Sequence, residues 1–242
     1  MSRIAVVALV LATTLTTARA DRRAFTQTYE YATMPAGQVE MELYTEEARP
    51  DLSDDDIRAF QMQLEFEVGI TDRWDVSVYH VFEQSIAGAE SEALHFSEVK
   101  AKTRYRFAER GEWPVDTLLY FEGIKVFAED VYELELKGIF ARDFDKVTVA
   151  LNLIAEVAFG DVEEFEQGFA LGATYEVSPA WKLGAEAFGN GELQEGEFEK
   201  MWAGPSLSWA PSPGFWFAIN AGFGVLEQSD DLLVRSIFGL HL

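Results

Sequence analysis

The sequence predicts an all-β fold: a transmembrane antiparallel up-and-down β-barrel of about 12 strands, with short turns at one end and longer acidic loops at the other. Three observations carry this expectation. From residue 57 to residue 242, stretches of alternating apolar and polar residues recur, joined in turn by tight turns and acidic loops. An export-type leader stands at the start of the chain. Four of the six tryptophans sit beside the same set of strand ends.

The clearest strand is residues 58–70. Phe60, Met62, Leu64, Phe66, Val68 and Ile70 share one face, while Gln61, Gln63, Glu65, Glu67 and Gly69 share the other. A period of two sends these sets to opposite sides of a strand, whereas a helix would scatter the acids among the apolar groups. Val147, Val149, Leu151, Leu153, Ala155, Val157 and Phe159 repeat the pattern against Thr148, Asn152 and Glu156. Residues 166–177, 215–225 and 234–242 repeat it again. Segments 38–45, 74–84, 94–107, 115–127, 131–142, 180–190 and 199–209 are weaker but compatible, which gives an even number of strands, as single-chain bacterial barrels have. Residues 27–32, QTYEYA, fit either an extension of the first strand or a plug inside the barrel.

The connections alternate in character. Those at 71–73, 108–112, 143–145, 178–179 and 211–214 are short and turn-like. Those between them, TEEARPDLSDDD, QSIAGAESE, GDVEE, GNGELQEGE and EQSDD, are longer and acidic. The link Phe127–Asp130 is short for its place. Trp74, Trp113, Trp181 and Trp209 flank the short turns, as an aromatic girdle at the headgroup level would.

The first twenty residues read as a cleaved secretory signal: Arg3, an apolar run from Ile4 to Ala12, and a small-x-small site at Ala18-Arg19-Ala20. The run is too short for a membrane helix, which needs ~20 residues. Residues 21–242 then form a single barrel domain, and losing the leader's two arginines takes the formal charge from −23 to −25. The absence of cysteine removes lipoprotein anchoring, disulfides and thiolate chemistry. Mean hydropathy is −0.04 and aromatics reach 14%, the mixed average of a lipid-facing band and a wet interior. A secreted soluble sandwich or lipocalin-like barrel also alternates, with its apolar face turned inward. Strand number, girdle, leader and apolar final strand favour the membrane barrel and hence the bacterial outer membrane.

With the apolar rows toward lipid, the opposite rows line a lumen. Lys100, Lys102, Arg104 and Arg106 form a basic comb along one wall. Glu65, Glu67, Asp116, Glu122, Glu133, Glu135 and Glu156 face or neighbour it, together with Asp75, Glu166, Glu176 and Glu186 and the bases Lys137, Lys182, Lys200 and Arg235. Opposed rows of charge make a selectivity zone in an aqueous pore. Equally, they pair with one another and close a narrow interior. The loop acids read as a solvated, repulsive surface, and DLSDDD lacks the glycine and distal glutamate of a calcium loop. No zinc spacing, phosphate loop or nucleophile elbow is present, so no cofactor is expected. So acidic a surface disfavours nucleic acid. The expected partners are outer-membrane lipids, lipopolysaccharide and small solutes or ions, and the expected activity is passive transport without catalysis.

Two resemblances add to this reading. TYEYATMPAGQVEMELYTEEARPD followed by QMQLEFEVGITDRWDVSVYHVF resembles the opening of a little-characterised, porin-like group of bacterial outer-membrane barrels, in which a strand ends Glu-x-Gly-Ile/Leu-Thr-Asp. Here those positions are Glu67, Gly69, Ile70, Thr71 and Asp72. The resemblance covers the first third of the mature chain and implies an outer-membrane barrel without naming an activity. The ending Leu240-His241-Leu242 is similar to the apolar or aromatic terminus recognised in barrel assembly, with leucine in place of the usual phenylalanine. His95-Phe96-Ser97 resembles the His-x-Ser pair of outer-membrane lipid A deacylases, which leaves a lipid-modifying enzyme as a minor alternative. The other alternative is a closed structural or adhesion barrel.

Overall fold

The structure, a computed structural model, describes residues 22–128, 130–161, 163–191 and 198–242. The expected signal at 1–20 and the loop acids Glu192, Glu195 and Glu197 lie outside the described residues. Twelve strands run β1 (Val39–Arg49), β2 (Ile57–Thr71), β3 (Trp74–Ala87), β4 (His95–Arg106), β5 (Asp116–Val126), β6 (Val131–Phe144), β7 (Val147–Phe159), β8 (Glu164–Ser178), β9 (Trp181–Gly191), β10 (Lys200–Ser212), β11 (Phe215–Gly224) and β12 (Leu232–His241). Each pairs antiparallel with its sequence neighbours, and β1 pairs with β12 from Glu40↔His241 to Arg49↔Leu232, so the barrel closes and leaves no edge.

The alternation resolves as membrane physics requires. On β2, Phe66 and Ile70 are 41% and 45% exposed on the outside, whereas Glu65 and Glu67 are buried within. Leu119, Phe121, Leu134, Leu136, Leu153, Leu171, Leu183 and Leu240 extend the same outward belt. In water such a surface would aggregate. Against acyl chains it is satisfied, and every strand's backbone is paired within the closed ladder. The barrel is therefore inside-out relative to a soluble one.

Trp74, Trp113 and Trp181 are exposed at the short-turn end, and Trp209 stacks on Trp181 with ring centroids 5.6 Å apart. This end also holds the start of β1 and the close of β12, and is the periplasmic end in barrels of this type. Phe144 pairs with Val147 across a two-residue turn in which Asp145 takes φ 55°, a left-handed conformation that a short polar residue tolerates. Several strands run beyond their predicted bounds. β1 continues to Arg49 because Glu47 and Asp55 accept from its guanidinium at 2.8 and 2.9 Å, holding charged residues in extended form above the lipid belt.

Residues 22–35 settle the question left open by QTYEYA: they lie inside the barrel. Phe25, Thr26, Tyr31 and Met34 are fully or nearly buried there. Arg22 donates to the carbonyls of Pro179 and Ala180 at 2.7 and 3.1 Å, which fixes the start at the short-turn end. At the apex, the Gln27 side chain donates to Glu46 at 3.2 Å, well up the lumen. The chain then returns: Thr33 Oγ1 donates to Asp72 O at 2.9 Å, and Gly37 N–H to Gly69 O at 2.8 Å. The segment is not a spanning strand because the twelve strands from Val39 to His241 close the barrel without it.

Candidate functional site

The lumen has two storeys. The lower one, toward the periplasm, is a dense ionic network. The Lys102 ammonium lies 2.6 Å from Glu65 and 3.0 Å from Glu67, reaching over β3 to β2. Arg104 grips Asp75 through Nε and Nη2 at 3.0 and 2.8 Å and also pairs with Glu67. Tyr44 donates to Glu65 at 2.6 Å and contacts Glu42. Arg23, from the inserted segment, donates to Tyr44 at 2.9 Å and lies 4.2 Å over the Tyr29 ring. Lys102 and Arg104 are each 3% exposed, so these charges persist only because each faces an opposite one.

The upper storey is open. Above the segment's apex lies a cavity of about 260 Å³, floored by Gln27 and Tyr29. Lys100, Glu122, Glu135, Lys137 and Glu156 line one wall, and the stacked pair Phe188 and Trp202, 5.5 Å apart, lines the other. The strand register brings the acids together. Glu122 stands opposite Glu135, Glu135 opposite Glu156, and Glu156 opposite Glu166, across four consecutive strands. Like charges directly opposite on neighbouring strands repel. Lys137 offsets Glu135 at 2.9 Å, Tyr120 donates to Glu122 at 2.8 Å, and Asn190 donates to Glu166 at 2.9 Å. Glu156 lines both this cavity and an adjoining one of about 200 Å³.

The predicted lumen residues thus separate. Lys100, which lies 3.0 Å from Glu98, faces the open cavity with Glu122, Glu135 and Glu156, while Lys102 and Arg104 belong to the buried network with Glu65 and Glu67. Arg106 donates to Thr33 at 2.8 Å and anchors the returning limb. Asp116 accepts the Gly111 N–H at 2.7 Å and caps the turn after β4. Glu133 is on β6 beside the acid row, two residues outward of Glu135. His95 and Ser97 do not meet as a serine–base pair would. The β3–β4 register shifts at Ser97, between Phe96 and Glu98, the Ser97 hydroxyl donates to Val81 O at 3.3 Å, and the His95 ring lies 3.3 Å from Ala93 O. Asp51 accepts the Ser53 amide and hydroxyl, each at 2.7 Å, so this loop acid caps its own turn, and its carboxyl is held below the ordinary range.

Sequence reasoning missed the residues that hold the segment. Arg23 and Tyr44 left no charge pattern, and Asn152 read only as a lumen-facing amide. One signal was available. Tyr44, Tyr79 and Tyr120 each occupy the row opposite the lipid belt, where a buried hydroxyl implies a polar interior partner.

Neither a protein-family model nor a curated protein matches the sequence. Solved structures do. The chain is similar to an outer membrane channel from Pseudomonas putida F1, with a TM-score of 0.62 at 10% identity, covering 88% of this chain and 98% of that one. It is also similar to the KdgM porin, solved in complex with disordered oligogalacturonate, with a TM-score of 0.56 at 11% identity, covering 84% and 97%. The NanC porin follows with a TM-score of 0.52 at 8% identity, covering 82% and 97%. At such identities the likeness is one of fold, a closed antiparallel β-barrel of the kind those outer-membrane proteins have.

Proposed function

We propose that this barrel is a passive channel for small hydrophilic solutes or ions, with a preference for cations. The observation that supports it is the row Glu122–Glu135–Glu156–Glu166, set in register along the open cavity and the smaller one beside it. Four carboxylates side by side repel one another, and a passing cation relieves that repulsion where an anion would add to it. The acidic loops raise the cation concentration at the outer mouth in the same sense. Of the basic comb, Lys100 is the member placed to contact a permeating ion. Lys102 and Arg104 act as pins.

The test is the reversal potential across a planar bilayer under a salt gradient. Glu135→Gln with Glu156→Gln should shift it toward zero, and an unchanged value would remove the acid row from the account. The second reading, a closed structural or adhesion barrel contacting lipopolysaccharide, is favoured by the filled lower storey. Liposome swelling separates the two, since a closed barrel leaves the vesicles unswollen in every permeant sugar or salt.

A further inference from the structure

Residues 22–36 enter and leave the lumen by the same mouth. Arg22 is anchored at Pro179 and Ala180, and Gly37 returns to Gly69 at the same end, so the segment is an inserted hairpin and is not threaded through. The barrel closes without it, because β1 begins at Val39 and all twelve neighbouring strands pair among themselves. Its apex is held by bonds that water can replace. The Glu186 carboxylate accepts the backbone N–H groups of Thr26, Gln27 and Thr28 at 2.9, 2.8 and 2.8 Å. Asn152 exchanges two bonds with the backbone of Tyr29, at 2.6 and 3.0 Å.

The wall is cut to receive this hairpin. A Cβ on Gly172 would stand 2.5 Å from the Phe25 ring, and Gly172 lies directly opposite Glu186 in the β8–β9 register. Socket and latch are neighbours. The joint is equally plain: Ala36 and Gly37 are exposed, and Gly37 takes φ +74°, a conformation that glycine adopts freely.

We infer that residues 22–36 are a retractable gate. The hairpin withdraws as a unit through the periplasmic mouth, hinged at Ala36–Gly37, with Glu186 as its latch. Withdrawal exchanges its bonds to Glu186 and Asn152 for water, takes Arg23 away from Tyr44 and Glu42, and leaves Glu186 and Glu42 facing an enlarged lumen, so the open state favours cations more strongly than the closed one. This inference rests on the channel reading, and the experiment keeps the two apart.

The chain has no cysteine, so a single thiol reports on one place. Thr28→Cys puts it at the buried apex, where the native hydroxyl has no hydrogen-bond partner to lose. Ala36→Cys is the exposed control. Both full-length variants are reconstituted in vesicles and treated with a polar maleimide, and folding is checked by resistance to SDS at room temperature. Thr28→Cys should react slowly but to completion, and Glu186→Ala should accelerate it by about tenfold or more, since three bonds to a charged acceptor are lost. Gly172→Val, which fills the Phe25 socket, should accelerate it as well and serves where Glu186→Ala does not fold. In planar bilayers the same substitutions should lengthen or multiply a large-conductance state. Folded barrels whose Thr28→Cys stays unmodified while Ala36→Cys reacts fully, at a rate neither substitution changes, would overturn the gate. Accelerated labelling with silent membranes would uphold the gate and remove the channel.

Discussion

Loss of Lys102 should cost the barrel heavily. Lys102→Met keeps the length of the stem and removes the ammonium that stands 2.6 Å from Glu65 and 3.0 Å from Glu67. Glu67 retains Arg104, but Glu65 is left with the Tyr44 hydroxyl at 2.6 Å as its strongest remaining partner. Removing one member of a buried ion pair costs ~3–5 kcal/mol, because the other charge stays desolvated. Arg73 supplies the contrast: its ion pair with Glu109 spans 2.7 Å but the two side chains are 40% and 57% exposed, so losing that pair should cost little. The assay is urea unfolding in detergent micelles, followed by tryptophan fluorescence and extrapolated to zero denaturant. Lys102→Met/Glu65→Leu should recover much of the loss, since apolar replacement of a whole buried pair is often neutral. A loss for Lys102→Met no larger than that for Arg73→Gln would show that water reaches the lower storey, and the two-storey description would fall.

Other outcomes follow from the same geometry. The cation preference should weaken as salt rises through the range where the Debye length falls from ~10 Å at 0.1 M to ~3 Å at 1 M; a preference independent of salt would place selectivity wholly inside the lumen. Lys100→Gln should increase cation preference because it removes a basic member of the cavity wall, and reversal potentials read this directly. Ser97→Ala should leave vesicle lipids and barrel stability nearly unchanged, since its hydroxyl makes one bond at 3.3 Å to Val81 O; loss of a lipid hydrolysis by this variant would revive the enzyme alternative. The bond from Arg73 at 2.7 Å holds the Glu109 carboxyl below the ordinary carboxylate range. That link is present above the free carboxylate's pKa and is lost as pH falls through Glu109's lower one, and an NMR titration should show Glu109 returning to its ordinary range in Arg73→Ala.

Fold was legible in the sequence where one physical rule acts alone. On β2 and β7 a two-residue period separates lipid from lumen, and both strands formed where the pattern placed them. The tryptophans at the short turns were legible for the same reason, since a headgroup boundary selects amphipathic rings whatever the neighbouring strands do. Strand ends were less so. β1 and β3 continue past their predicted ends, β1 on the pairs Arg49 makes with Glu47 and Asp55, and alternation there no longer reports burial.

The lumen was half legible. Alternation put Lys100, Lys102, Arg104 and Arg106 on the inner face, but which carboxylate each meets depends on reach across an intervening strand. Lys102 passes over Ser77, a small residue, to find Glu65 and Glu67 on β2. The four-acid row required registers across β5 to β8 that turn lengths alone do not fix. The inserted hairpin was hidden for a further reason. Its polar alternation satisfies the rules of an extended segment as well as those of a plug, and only the barrel's closure without it decides between them.

The central claim, that an acid-lined lumen carries ions across the outer membrane, is tested most directly by recording the full-length wild-type protein in a planar bilayer under a tenfold potassium chloride gradient. Discrete steps of current with a reversal potential of the cation-permeable sign are predicted. Silence at every voltage, or a reversal potential of the anion-permeable sign, would contradict the account.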